Sequence, residues 1–300
     1  MNYLVAIPLD KSLAELVGKL GTHDGISFYN RKYNENAIVG LFPTSFEGKT
    51  YGVAQCLLLS NVVVISTASI DSAFGETLLA CSLIKRHVIF TDENNVDKFT
   101  QNLGINDFEI INRGNVLESI SKIKTDPSSE GTKRVDLDSV FIVKGIGVVV
   151  LGVVTHGNVK VHDELYHNSG KKVSIRSIQV QDEDKTEAGA GTHVGLGLKG
   201  LEENEIRKGD LLSYMPIKTV QTVSGEILQS KSYQEQISVG SMYDFVCGFS
   251  HRMSTVVEFV GNRITLKLET PLSINKKDEF LLVRNKKPRI FASGIVTGAE

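Results

Sequence analysis

Residues 140–167 read VFIVKGIGVVVLGVVTHGNVKVHDELYH, short β-branched runs broken by Gly145, Gly147, Gly152 and Gly157. Glycine recurs in strand-like sequence where a backbone must bend or pass close to a neighbour, so the stretch reads as part of an antiparallel β-barrel. The same texture continues through KKVSIRSIQVQDED (171–184), AGAGTHVGLGLKGL (188–201) and IRKGDLL (206–212), and onward to the end of the chain. Turn signals recurring every ten residues or so predict antiparallel barrels or sandwiches. Two β-rich segments are expected, dividing near Pro216 to Val223.

Upstream the pattern changes. Buried-type runs (Tyr3 to Ile7, Ala37 to Leu41, Val62 to Ile65, His87 to Phe90) alternate with helical patterns such as Leu13-Leu16-Val17-Leu20 and Thr77 to Ile84. That alternation predicts an α/β domain with a doubly wound parallel sheet. The expected organisation is an α/β domain over 1–125, a polar linker over 126–134, and two β-barrel domains over 135–216 and 217–300. The first domain is expected to fold around its own core, leaving soluble barrels if it is removed.

Composition bounds the function classes. The net charge of −2 excludes a polyanion-binding role read from overall charge, although the balance runs from −2 over 1–134 and −3 over 135–216 to +3 over 217–300. Cys56, Cys81 and Cys247 are odd in number and widely spaced, as free thiols in a reducing compartment are. No run is apolar enough to span a membrane, and the N-terminal segment lacks the character of a secretory signal. A cytoplasmic protein with no membrane partner is expected.

Across residues 140–210, in order, stand a Gly-x-Gly-x-Val strand pair, the hairpin Gly157-Asn158-Val159-Lys160-Val161-His162-Asp163-Glu164, the strand Ile175-Arg176-Ser177-Ile178, the Ala190-Gly191-x-x-Val194-Gly195 strand and Arg207-Lys208-Gly209-Asp210. This succession resembles the second domain of the elongation factor Tu family of translational GTPases. DGISFYN, LSNVVVI and FGETLLA further resemble archaeal members near the selenocysteine-specific (SelB-like) factor, including the branch associated with pyrrolysine. The resemblance implies a GTPase-like first domain and a third, barrel-like domain, strongest in the middle of the chain and weaker at both ends.

Four sites that such a GTPase needs are not legible. After Leu4 to Ile7 comes Pro8-Leu9-Asp10-Lys11-Ser12 with no glycine, too short a loop to circle a phosphate and carrying a repelling carboxylate. Leu41-Phe42-Pro43-Thr44 stands where the magnesium-binding Asp-x-x-Gly belongs, and the water-positioning histidine is gone with it. Thr91-Asp92-Glu93-Asn94 replaces the guanine-reading Asn-Lys-x-Asp. Gly48-Lys49-Thr50 imitates the end of a phosphate loop, but Pro43 lies where an N–H donor is needed, and Phe46 and Glu47 crowd the approach. Phosphoryl transfer is almost wholly positioning and charge neutralisation, so a degenerate GTPase domain is expected, with no catalytic, nucleotide-binding, metal or cofactor site. His156, His162 and His167 read as ordinary hairpin residues, since an odd offset turns side chains to opposite faces.

The resemblance implies a pocket on the second domain for the aminoacyl end of tRNA, at Phe141, Arg176, Gln179 and His193. An aromatic face, a guanidinium and hydrogen-bonding side chains suit an exposed nucleotide. The competing reading makes Phe141 core and the polar residues barrel exterior. Arg284, Lys286, Lys287 and Arg289 are candidate contacts to tRNA phosphates. Two function classes follow: an RNA-binding translation factor without a nucleotide switch, its partner aminoacyl-tRNA or the ribosome rather than DNA, or a protein-interaction scaffold that kept the shape and lost tRNA.

Overall fold

The computed structural model describes residues 2–44, 51–92, 95–124, 132–230 and 235–300. The Gly48-Lys49-Thr50 tripeptide, Glu93-Asn94 and most of the 126–134 linker lie outside the described residues. The first domain runs β1 (Asn2–Ala6), α1 (Lys11–Val17), β2 (Lys19–Asp24), β3 (Ile26–Tyr33), β4 (Asn36–Pro43), α2 (Tyr51–Leu59), β5 (Val62–Ser66), α3 (Ser72–Ile84), β6 (His87–Thr91), α4 (Asp97–Leu103), β7 (Phe108–Ile111) and α5 (Val116–Lys122). Its sheet is ordered β2-β3-β4-β1-β5-β6-β7. Strands β4 to β7 lie parallel to β1 or to one another, while β2 and β3 form an antiparallel edge.

The sheet is therefore mixed rather than wholly parallel. The helical pattern read from Leu13 to Leu20 stops at Val17, because Gly18 sits against the β3 backbone, where a Cβ would come within 2.7 Å of the Tyr29 carbonyl. Beyond that contact the chain pairs with β3 instead of winding on, and Leu20 becomes an exposed edge residue.

The second domain comprises β8 (Arg134–Val143), β9 (Gly147–His156), β10 (Asn158–Lys160), β11 (Glu164–His167), β12 (Lys172–Val180), β13 (Glu183–Lys185), β14 (Glu187–Gly189), β15 (Thr192–Lys199) and β16 (Leu211–Ser213). Pairing of β11 with β12 closes the order β11-β16-β8-β9-β15-β12 into a six-stranded barrel. The third domain, β17 (Thr219–Gln229), β18 (Met242–Cys247), β19 (Ser250–Val260), β20 (Arg263–Ser273), β21 (Glu279–Val283) and β22 (Ile290–Ala299), is a second closed barrel in the order β17-β20-β19-β18-β21-β22. Each barrel fills its interior with alternate strand residues, Val150, Ile175 and Leu196 in one and Phe245, Leu266 and Phe280 in the other. The glycines that opened the sequence reading sit where the backbone demands them. Gly145 and Gly147 take φ of 85° and 97° in the β8–β9 turn, and a Cβ at Gly152 would lie 2.5 Å from the Asp136 carbonyl oxygen.

One apolar core runs from the first domain into the third. Residues of α2 and α3 pack on the sheet with one side and on Val246, Phe249, Leu281, Val283 and Ile290 with the other. On the opposite face of the sheet a second core, including Tyr3, Ile7, Leu13, Ile89, Val116 and Ile120, belongs to the first domain alone, so the domain has a core of its own on one face and a shared one on the other. Polar contacts border the seam: Gln55 Nε2 donates to the Phe249 carbonyl (2.6 Å), Ser293 Oγ to the Leu83 carbonyl (2.8 Å), and Arg86 pairs with Glu279. The two barrels are joined by buried Arg134, which donates to Asp278 and to Asp136.

Candidate functional site

At the carboxyl ends of β1, β5 and β6, where open α/β sheets receive ligands, the chain supplies its own charges. Asp10 caps α1, its Oδ1 accepting from the Leu13 N–H (3.1 Å) and the Ser12 hydroxyl (2.7 Å). Arg113, in the turn after β7, donates to Asp10 Oδ2 (2.9 Å) and to Ser12 Oγ (2.6 Å). Partial burial pushes the Asp10 carboxyl up, but hydrogen bonds from Arg113, Ser12 and Leu13 outweigh it and bring the pKa down to about 2. Asp92, 3.7 Å from Arg113, accepts from Ser66 and Thr91. A carboxylate thus occupies the helix start that a phosphate would approach, and the nearby guanidinium is committed to it.

The outer face of the second barrel is arranged differently. Register places Phe141, Val149, Gly197 and Ser177 in one row across β8, β9, β15 and β12, and Ser139, Leu151, Gly195 and Gln179 in the next. Paired residues share a face, so two adjacent rows carry no side chain on β15, and between the apolar lip of β8–β9 and the polar edge of β12 the surface dips to a shallow trough at half-buried Gly195, closed off at Gly197 by Ile146 and Ser177. Phe141 is exposed at the lip, and Ile146 reaches over Gly197, where a Cβ would come within 3.3 Å of its Cγ2. Arg176 lies in the bulge between Ile175 and Ser177 and is exposed, as is Gln179, whose amide donates to Asp184 (2.9 Å). Lys144 and Lys199 are exposed at the hairpin end of the same strands, and neither they nor Arg176 ion-pairs with another described residue. The alternation Val194-Gly195-Leu196-Gly197-Leu198 was the legible signal for the trough floor, with core residues between outward glycines.

His193 belongs to the row beyond, with Val153 and Asp136, and this row is covered by the first domain. Its ring stacks on Phe28 with centroids 4.1 Å apart and planes 6° from parallel, and Phe28 in turn meets Phe249 of the third domain at 6.1 Å. Only 8% of His193 is exposed, its Nε2 has no hydrogen-bond partner, and burial pushes its pKa down to about 4. Phe141, Arg176 and Gln179 therefore share an open face, while His193 lies in a three-domain aromatic contact at its end.

The candidate phosphate contacts of the third domain are engaged within the chain. Arg289 pairs with Glu76 of α3 (2.7 Å), Arg284 and Lys286 with Glu235 (2.8 and 2.7 Å), and Lys287 donates to Ser72 (2.9 Å). Arg284 is largely buried and lies over the Phe291 ring. Of the three hairpin histidines, His167 is held between Ser169 (2.8 Å) and Asp210 (3.1 Å), and His156 lies beside Thr155 (3.3 Å). Among the described residues no group of His, Cys, Asp or Glu is placed to hold a metal, and no helix is long and apolar enough to cross a membrane.

A mixed seven-stranded sheet followed by two closed six-stranded barrels matches the three-domain architecture of SelB and elongation factor Tu. Residues 147–213 match the family described as elongation factor Tu domain 2. An uncharacterized protein of Methanocaldococcus jannaschii is 28% identical over 93% of this chain and 94% of its own. The selenocysteine-specific elongation factor of Haemophilus influenzae is 37% identical over 32% of this chain, a match covering 16% of that protein. The SelB structure from Methanococcus maripaludis with the GTP analogue GppNHp superposes with a TM-score of 0.81 at 19% identity, over all of this chain and 80% of that one. The middle domain is thus of the elongation factor Tu domain 2 family, and the chain as a whole has the three-domain fold of SelB.

Proposed function

We propose that the protein is a cytoplasmic, translation-factor-like RNA-binding protein that receives the exposed end of an aminoacyl-tRNA in the second-barrel trough and works without hydrolysing GTP. The observation that carries the reading is the glycine-floored trough itself, with Phe141 and Ile146 on one lip, Arg176 and Gln179 on the other, and unpaired Lys144 and Lys199 at its end. An aromatic ring offers a stacking face to any base, and the cations suit phosphates. The Asp10–Arg113 pair supports the second half: a fixed carboxylate at the α1 start repels phosphate, and Arg113 is spent on it. Arg176→Ala should weaken charged tRNA more than uncharged tRNA in filter binding. Lys144→Gln with Lys199→Gln should weaken both alike and flatten the salt dependence. Saturable, GTP-competed binding of a fluorescent GTP analogue with magnesium would overturn the nucleotide-free reading.

One observation favours the scaffold alternative. The third-domain cations that could have met tRNA stems are paired to Glu76 and Glu235. Weak, salt-sensitive retention of any polyanion, unchanged in both variants, would leave the scaffold as the surviving function.

A further inference from the structure

The three domains leave between them a crevice of about 1860 Å³, lined by residues of all three. Pockets for small ligands span roughly 300–1,000 Å³, so this space is sized for something larger. It lies at the opposite end of β8 from the trough: Arg134 lines it, whereas Phe141, seven steps on, marks the trough lip, roughly 23 Å away at 3.3 Å per residue. Nothing in the proposed role of the trough uses it.

Its lining carries eight Lys and Arg side chains against five Asp and Glu. The acids are largely engaged. Asp136 and Asp278 accept from Arg134, Glu279 pairs with Arg86, and Asp107 is held by His87 at 2.6 Å. Lys122, Lys133 and Lys160 are matched by Glu118, Asp163 and Glu187 outside the lining, but three other lysines are not. Lys85, Lys124 and Lys277 are exposed, come from the first and third domains, and make no ion pair with a described residue. Tyr214, 53% exposed on the same lining, adds a ring face. Unpaired cations around an aromatic platform are what a single-stranded nucleic acid requires: charge along its backbone and a surface for a base.

We infer that the crevice between the three domains, bordered by Lys85, Lys124, Lys277 and Tyr214, binds a single-stranded segment of RNA through its phosphates. The inference stands independently of the aminoacyl-end reading, because the ligand that tests it has no aminoacyl end. Fluorescence anisotropy of the full chain with a labelled oligouridylate, across a salt series, provides the measurement. The triple substitution Lys85→Gln, Lys124→Gln, Lys277→Gln should weaken binding at least five-fold and reduce the salt slope by about 2, at roughly 0.7 per lost contact on a single strand. Tyr214→Ala should weaken binding about five-fold or more with the slope unchanged, and Lys98→Gln, an exposed position on α4 outside the crevice, should change neither. All four sites are exposed, and thermal unfolding of each variant reports that the fold is kept. Absence of oligouridylate binding, unchanged affinity and slope in the triple variant, or loss on Lys98→Gln equal to that of the triple would each overturn the inference, whatever charged tRNA does at the trough.

Discussion

Replacing His193 by phenylalanine should remove much of the protein's sensitivity to mild acid. The imidazole is buried against Phe28 with Nε2 unpartnered, and burial pushes its pKa down to about 4, against about 6.5 in an unfolded chain. Protons therefore bind the unfolded state more tightly. The stability linked to His193 is complete above pH 6.5 or so, falls as pH drops toward about 4, and is constant below that. A depression of about 2.5 units at about 1.4 kcal/mol per unit gives a limiting loss of about 3 kcal/mol, of which about 2 kcal/mol is gone by pH 5 or so. His193→Phe preserves the ring stack and cannot titrate. The assay is urea denaturation followed by far-ultraviolet circular dichroism, suited to a chain without tryptophan, at about pH 7.5 and about pH 5. The wild type should lose about 2 kcal/mol more than the variant between the two, and the losses of His156 and the carboxylates cancel in the comparison. Equal losses in both proteins would refute the argument, showing that the ring reaches solvent or a proton acceptor before the domains part.

Asp10→Asn keeps the α1 cap but ends the ion pair with Arg113. It should cost about 0.5–1 kcal/mol after solvent screening at neutral pH, a difference that persists above the ordinary carboxylate range near 4 and fades toward pH 2 or so, as thermal unfolding would register. Gly195→Leu has room, the nearest side-chain atom to its Cβ being Leu151 Cδ2 at 3.5 Å, so it should fill the trough and abolish charged-tRNA retention with little change in melting temperature. Gly197→Ala meets Ser177 Oγ at 2.5 Å and should destabilise by about 1–3 kcal/mol, most of it recovered by adding Ser177→Ala. Deleting residues 2–124 strips the cover from Val246, Phe249, Leu281, Val283 and Ile290, so gel filtration should show aggregated barrels; a soluble monomer would mean the shared core is dispensable.

The barrels were legible because their information is local: alternate strand residues and turn glycines report face and bend within a few residues. The edge hairpin β2–β3 was not, since what stops α1 is the approach of Gly18 to Tyr29, a contact between elements that no window of sequence contains. The same division runs through the candidate site. Phe141 and Gln179 stand in adjacent outward rows of one sheet, which strand register alone fixes, with Arg176 in the bulge beside the first row. His193 is on that sheet too, but its environment is set by Phe28, about 165 positions away, so its burial lay beyond any reading of pattern. The pairing of Arg289 with Glu76 was hidden for the same reason: Arg289 and Lys287 reach α3, while Arg284 and Lys286 are held within their own domain by Glu235.

Because α2 and α3 are covered on both sides, the first domain has lost one of the two helical faces that a sheet of this kind ordinarily turns to solvent. Mutations there must satisfy a sheet and a barrel simultaneously. Across related chains, changes at α2 positions such as Gln55 and Leu57 should track changes in β18 and β21 rather than any ligand. Invariance in this helix would then record a fit between domains, and the marks of selection by a binding partner belong instead to the α1–α5 face, the strand ends and the exposed barrel surfaces.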